Sequence, residues 1–223
     1  MSYDELLAQL QSLAEKEFAD YQRRLIPTEC VILGVRTPAL RQIAKEWYGE
    51  EDLLLSFPND YYEIRFLKLA VVANFPYMLF FRYVERVVPI IDNWALCDSF
   101  RPKCAAENLD TFLPYIEKFF AEGSEFYVRY ALVMLLSFYV KEEYLSLLID
   151  YLKRTNTQPY YVHMAAAWLT AEVLVKAFET GVTILKDGIL DVKTHNKAIQ
   201  KALESFRLNK KQKARLRALK IKN

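Results

Sequence analysis

The residues whose types and spacing are best suited to chemistry lie in the segment 93–100, NWALCDSF. Trp94 and Asp98 are four residues apart, the spacing that puts two side chains on one face of a helix. Their neighbours are mostly apolar, so a charge on Asp98 is costly to bury without a partner. Two interpretations are open. Either Asp98 or Ser99 caps a helix and Trp94 belongs to the core, or the carboxylate and the indole face a positively charged ligand.

Two later positions also carry residue types suited to ligand binding. Arg129 lies in the apolar run FYVRY, where its guanidinium needs either Asp98 or a phosphate as partner. Trp168 follows three alanines, which would let a ligand or a neighbouring helix approach closely, although a core tryptophan is the alternative. The histidines, His163 and His195, have no metal-ligand spacing with each other or with the three cysteines. We therefore expect no metal site.

The elements that must position these residues have helical spacing throughout. Apolar residues recur every three or four positions over 3–24, and Thr37 with Pro38 is typical of a helix start. Alternation of period two is nowhere sustained. The further predicted helices are 61–75, 80–91, 93–100, 110–121, 125–140, 141–154, 160–177 and 194–206. The sequence predicts an all-α fold.

A short pattern recurs at the start of three of these helices, as YEIR, FYVR and YYVH. It ends at Arg65, Arg129 and His163, and Asp98 falls in the same register, with successive separations of 33, 31 and 34 residues. Such a period indicates a HEAT-like solenoid of stacked helix pairs, here a single curved domain over 1–223. The four residues would form one polar row on its concave face, unless the pattern is a coincidence between amphipathic helices.

Composition and charge are those of a water-soluble protein with an uneven charge distribution. Of the 223 residues, 53% are hydrophobic and 26% charged, and no apolar run approaches a membrane span. Three cysteines and the absence of a signal peptide lead us to expect a cytoplasmic protein without disulfides. Residues 178–223 contain twelve Lys/Arg and four Asp/Glu, a net +8, which leaves −6 on the remainder. This favours a polyanionic partner, with a solvated basic tail as the alternative.

The motif GVRTP at 34–38, the Trp94–Asp98 pair, Val128-Arg129 and Ala167-Trp168 occur in an order that resembles the AlkD-type DNA alkylation repair proteins. The similarity covers roughly residues 5–220. That family is built of HEAT-like repeats, and the resemblance implies that Trp94, Asp98 and Trp168 form the catalytic surface. It also implies that Arg129 holds the adjacent phosphate.

The activity implied by the resemblance is excision of cationic N3- or N7-alkylated purines from double-stranded DNA, by a monomer without cofactor. Asp98 would stabilise positive charge on the deoxyribose and orient water. The lesion would be engaged through backbone and sugar rather than in a flipping pocket. Basic side chains would bind phosphates irrespective of sequence. The expected DNA-binding residues besides Arg129 are Arg65, His163, Lys197, Lys201, Arg207, Lys210, Lys211 and Lys213.

Two features depart from the resemblance. Glu172 follows Trp168 on a helix where better-known members carry a basic residue, and residues 1–60 contain eleven Asp/Glu against six Lys/Arg. Two other functions are therefore open. One is a non-catalytic HEAT-like module that binds DNA or RNA. The other is a protein-binding solenoid in which the polar row is an internal salt-bridge ladder.

Overall fold

The computed structural model describes residues 2–222, and within them the chain forms fourteen α-helices. It divides into two compact units, Met1–Asn108 (unit 1) and Leu109–Asn223 (unit 2). The helices of unit 1 are α1 (Tyr3–Ser12), α2 (Lys16–Leu25), α3 (Thr37–Lys45), α4 (Glu51–Ser56), α5 (Tyr62–Val72), α6 (Tyr77–Val87) and α7 (Trp94–Ser99). Those of unit 2 are α8 (Leu109–Glu122), α9 (Glu125–Phe138), α10 (Leu145–Arg154), α11 (Tyr160–Lys176), α12 (Phe178–Lys186), α13 (Val192–Glu204) and α14 (Lys210–Ala218). The predicted all-α fold class is confirmed.

One helix lies at the centre of the packing in each unit. In unit 1, α5 contacts α3, α4, α6 and α7. In unit 2, α11 contacts α9, α12 and α13, while α9 also contacts α8 and α13 also contacts α14. Buried side chains lie on all sides of α11, as a helix surrounded by other helices requires. This packing of successive helices is consistent with the predicted helical-repeat architecture.

Several side-chain hydrogen bonds join residues about one repeat apart in the sequence, so their separations reflect the length of the repeat. Their separations of 34 to 37 residues are close to the predicted period near 33. All four are arginine–carboxylate pairs at the surface, where such pairs add little stability. The pairs are Arg86–Asp52, Arg154–Glu117, Arg207–Glu172 and Arg215–Glu179.

The loop before α3 explains why the GVRTP motif begins with glycine. Gly34 has a φ of +90°, and a Cβ at this position would lie 2.4 Å from the carbonyl oxygen of Glu15. The backbone N–H groups of Leu33, Gly34 and Val35 all donate to the buried carboxylate of Glu63, at 2.8 to 3.3 Å. The loop is thus fixed by α2 on one side and by α5 on the other.

Two details of the helix prediction are wrong. The segment 3–24 is two helices rather than one, and its break lets the N–H of Glu15 donate to the carbonyl of Gly34 at 3.1 Å. The pair Thr37-Pro38 does begin α3, but Thr37, predicted as the N-cap of that helix, is its first residue; the N-cap is Arg36, which makes no side-chain cap bond. The predicted helical segments also do not include α4, α12 and α14. Among the described residues, no helix is both long and apolar enough to cross a membrane.

Candidate functional site

Helix α7, which carries the predicted Trp–Asp pair, is six residues long and is anchored by polar side chains at its N-terminus. Asn93 is fully buried, and its side chain accepts the N–H of Leu96 at 3.0 Å and donates to Asp92 at 2.7 Å. Asp92 forms an ion pair with Arg65 at 2.9 Å. Arg65 therefore fixes α7 in place through Asp92 and Asn93.

Trp94 and Asp98 occupy the first and last turns of α7 within unit 1. Asn93, rather than Asp98 or Ser99, caps the helix, so the capping interpretation of those two residues is wrong. The Ser99 hydroxyl instead donates to a carbonyl within the same helix. Trp94 is half-buried, and its indole N–H donates to the carbonyl of Leu25 at 2.9 Å. This bond fixes the orientation of the indole ring.

Asp98 lines a cleft of about 490 Å³ in unit 1 together with four basic residues. The basic residues are Arg41, Lys45, Arg101 and Lys103. Sequence reasoning missed all four. Two of them, Arg41 and Lys45, lie within residues 1–60, which a charge count describes only as a net acidic segment. The available signal was their spacing: Arg41 and Lys45 share a face of α3, and the other two follow Asp98 within five residues. Asp98 is the one carboxylate among the described lining residues.

Arg129 is buried in α9, at 5% exposure, and joins that helix to the start of α11. One of its guanidinium nitrogens donates to the carbonyl of Tyr161 at 2.9 Å, and the guanidinium lies 5.9 Å from the centre of that ring. Glu125 accepts the N–H of Tyr161 at 2.7 Å. Arg65 similarly donates to the carbonyl of Ile90, shortly before α7. Arg129 and Arg65, two residues of the predicted polar row, thus join their helices to segments that follow later in the chain.

Trp168 lies on α11 within unit 2, beside a cleft of about 290 Å³. The three preceding alanines are buried, as close packing of neighbouring helices requires. The ammonium of Lys201 is 6.0 Å from the centre of the Trp168 ring. Glu172 holds the guanidinium of Arg207 through two nitrogens and also pairs with Lys176 at 3.4 Å. Glu172, the acidic residue that departs from the family pattern, therefore orients the guanidinium of Arg207 in the loop after α13.

His163 is 2% exposed and lines a third cleft, of about 570 Å³, with Tyr160, Lys193, Lys197 and Lys220 among its other lining residues. Its Nδ1 is 2.8 Å from the hydroxyl of Thr194, which itself donates to Asp191. Burial, together with nearby Lys193, lowers the pKa of His163.

The pKa of Asp191, the carboxylate at the end of this chain of hydrogen bonds, is also shifted. Burial alone would raise the pKa of Asp191, but hydrogen bonds from Thr157 and Thr194 outweigh it and lower the pKa to about 2. His163 thus belongs to a hydrogen-bonded cluster that includes an ionised carboxylate and the start of α13.

The remaining predicted cations lie on the C-terminal helices of unit 2. Lys210 and Lys211 are exposed on the first turn of α14, and Lys213 is half-buried one turn later. A capping box between Asn209 and Gln212 fixes this helix start. Histidine, cysteine and acidic side chains form no group of three suited to a metal ion within residues 2–222. That Trp94 and Asp98 converge with Arg129 and Trp168 on one surface stays a prediction.

A comparison with protein-family models matches residues 6–173 to the model described as DNA alkylation repair enzyme. The chain belongs to this family. A comparison with curated protein sequences found no match. The matched region of this DNA alkylation repair protein contains α7, Arg129 and Trp168, whereas α13, α14 and the loop between them lie beyond it. Membership indicates an enzyme of DNA repair whose substrate is DNA.

Proposed function

We propose that the protein is a DNA glycosylase that hydrolyses the N-glycosidic bond of purines carrying a positive charge through alkylation at N3 or N7. The observation that carries this proposal is the cleft in which Asp98 stands among four basic side chains. The bases suit the phosphates on either side of a nucleotide, and the carboxylate suits the charge that develops on its sugar. The cleft therefore offers opposite charges for the two charged parts of the transition state.

The chemistry requires little from the enzyme at the leaving group. When the bond between C1′ and the purine nitrogen breaks, its electron pair neutralises the cationic base, so the base leaves without being protonated. Positive charge then develops on the deoxyribose, where the Asp98 carboxylate would stabilise it. Water adds its oxygen to C1′ and gives up a proton to Asp98 or to solvent. The products are the free alkylated base and an abasic site in DNA.

We assign roles to the other residues from the contacts that their side chains make in the structure. The fixed indole of Trp94 and the ring of Trp168 would pack against sugar and base, and Arg129 would interact with a phosphate. Arg65 and His163 have partners within the fold, so we propose that they position neighbouring helices rather than bind DNA directly. The C-terminal cations would contribute sequence-independent phosphate contacts. These are Lys197, Lys201, Arg207, Lys210, Lys211 and Lys213.

The charge of the substrate base provides the sharpest test. Duplexes identical except for one base, N7-methylguanine in one and O6-methylguanine in the other, are incubated with the protein, and the released base is quantified. We expect release of the N7-methylated base, which is cationic, and none of the O6-methylated base, which is neutral. Equal release of both would contradict a mechanism that depends on a cationic leaving group. Release of neither, with DNA still bound, would contradict the glycosylase proposal itself.

One observation favours a second candidate, a DNA-repair protein that binds DNA without excising bases. The Lys201 ammonium lies over the ring of Trp168, where a cationic purine would otherwise stack. An ammonium at this position suits a phosphate better than a positively charged base. This candidate predicts binding that weakens steeply as salt rises, without base release from either duplex. Tight binding that ignores ionic strength would contradict it.

A further inference from the structure

The loop between α13 and α14, residues 205–209, holds a phenylalanine ring entirely in water. Phe206 is 101% exposed, more than any other large apolar side chain in the described part of the chain. A phenylalanine in this state forgoes the favourable free energy of burial. Because the family model ends at residue 173, the role of this loop does not follow from the family match.

The exposure of Phe206 does not come from a loosely held loop. The N–H of Arg207 donates to the hydroxyl of Ser205 at 3.2 Å, which closes a turn directly around the ring. Leu208 is buried in the hydrophobic core shared by α11 to α14. Asn209 then caps α14. The loop is therefore anchored on both sides of Phe206 and holds the ring outward.

The charges around the ring point to a polyanion. Arg207, the next residue, has its guanidinium oriented by Glu172, and Lys210 and Lys211 are exposed on the following helical turn. A membrane would favour further exposed apolar side chains beside the phenylalanine. Among the described residues of α14, none of the large apolar side chains is exposed. One aromatic ring flanked by cations matches the way proteins bind nucleic acid, through base stacking and phosphate contacts.

We propose that Phe206 stacks on a nucleic-acid base that has an open face, either an unpaired base or a base at an opened step, while Arg207, Lys210 and Lys211 hold the adjacent phosphates. Bases inside an intact duplex are covered on both faces, so the ring would favour DNA that is locally unpaired. This inference rests on the proposed binding of DNA but not on base excision. It assigns to the C-terminal loop a preference for distorted DNA.

The test compares two labelled duplexes, one fully paired and one with a single unpaired base, by fluorescence anisotropy at several salt concentrations. We expect the protein to prefer the duplex with the unpaired base. Phe206→Ala should weaken binding to that duplex by about 5- to 150-fold, the range for loss of one stacked base, and leave binding to the paired duplex nearly unchanged. Phe206→Trp should retain the preference, whereas Phe206→Leu, apolar but not aromatic, should lose most of it.

Met78→Ala is the matched control, because Met78 is 81% exposed and lies on α6, away from the loop in sequence. It should leave both affinities unchanged. Lys210→Gln should weaken binding to both duplexes alike, since a phosphate contact carries no base information. The melting temperature of each variant should match that of the wild type, because Phe206, Met78 and Lys210 are all exposed.

Three results would overturn the inference. The wild type could show no preference for the unpaired base, Phe206→Ala could keep the preference, or Phe206→Leu could bind as well as the wild type. Binding of the wild type but not of Phe206→Ala to anionic phosphatidylserine vesicles, without a change in DNA preference, would assign the ring to a membrane surface instead. Absence of any DNA binding would defeat the proposed function as well, whereas base release that is unaffected by Phe206→Ala would leave that function standing.

Discussion

Replacing Glu63 with glutamine tests whether one buried carboxylate fixes the beginning of α3. Glu63 is 0% exposed and accepts three consecutive backbone N–H groups, those of residues 33–35. The helix that follows this loop supplies Arg41 and Lys45 to the cleft of Asp98. The substitution keeps the size of the side chain and removes its charge, so it probes the hydrogen bonds more than the packing.

The expected cost follows from those bonds. A hydrogen bond to a charged group contributes about 1.5–3 kcal/mol, against about 1 kcal/mol for a neutral one. A glutamine oxygen in the place of Oε1 could still accept all three N–H groups, but as a neutral acceptor, and its NH₂ would face the N–H of Leu33, which lies 3.1 Å from both carboxylate oxygens. Each bond would then lose about 0.5–2 kcal/mol, the difference between a charged and a neutral acceptor. We therefore expect Glu63→Gln to lower the free energy of unfolding by about 2–4 kcal/mol, and the melting temperature by about 4–16 °C.

Thermal unfolding followed by far-ultraviolet circular dichroism measures this change. Glu17→Gln is the control, since Glu17 is exposed on α2 and such surface substitutions stay within about 0.5 kcal/mol. Glu63→Ala should be worse than Glu63→Gln, because it leaves all three donors unpaired and opens a cavity. If Glu63→Gln melts at the same temperature as Glu17→Gln, the carboxylate does not fix the loop.

Three further predictions concern the cleft, the glycine loop and the buried histidine. For DNA binding, the logarithm of the binding constant falls linearly with the logarithm of the salt concentration. Arg41→Gln should make this slope less steep by about 0.9, the value for one phosphate contact, while Lys16→Gln should not change it. Gly34→Ala should destabilise the protein by more than about 3 kcal/mol in urea unfolding, because its Cβ meets backbone at 2.4 Å. Gly49→Ala should cost only about 1–2 kcal/mol, since Gly49 also has positive φ but open space around it; equal costs would exclude the clash. Burial lowers the pKa of His163 in the folded protein. As pH falls below about 6.5, this imidazole therefore becomes protonated in the unfolded chain before it does so in the folded one. Stability should then drop by up to about 1.4 kcal/mol per pH unit, and His163→Asn should flatten that slope; an unchanged slope would show that another group is responsible.

Local spacing was enough to predict some features of the fold and the candidate site. Helical periodicity gave the fold class, and the four-residue separation of Trp94 and Asp98 placed them on one helix. The repeat pattern gave a period close to that of the side-chain bonds between repeats. These features depend on neighbouring residues, or on an interval that recurs along the chain.

What the sequence could not give depends on contacts between distant segments. The partners of Glu63 lie 28 to 30 residues earlier in the chain, and no local pattern pairs a helical glutamate with a loop backbone. Arg41 and Lys45 belong to a net acidic segment but share a cleft with Arg101. Arg65, Arg129 and His163 lie near the starts of α5, α9 and α11, yet Arg65 donates its hydrogen bonds to groups within the fold. Charge counts and spacing do not reveal which partner a side chain takes.

The most direct test of the proposed glycosylase is base release by Asp98→Asn. Wild type, Asp98→Asn and Asp150→Asn, in which an exposed aspartate of α10 is changed, are incubated under single-turnover conditions with duplex DNA containing one N7-methylguanine. We predict that Asp98→Asn releases the base about 10²- to 10³-fold more slowly than wild type but binds the duplex with the same affinity. Asp150→Asn should match the wild type in both release rate and affinity. Release by Asp98→Asn at the wild-type rate would contradict the assignment of this carboxylate to catalysis.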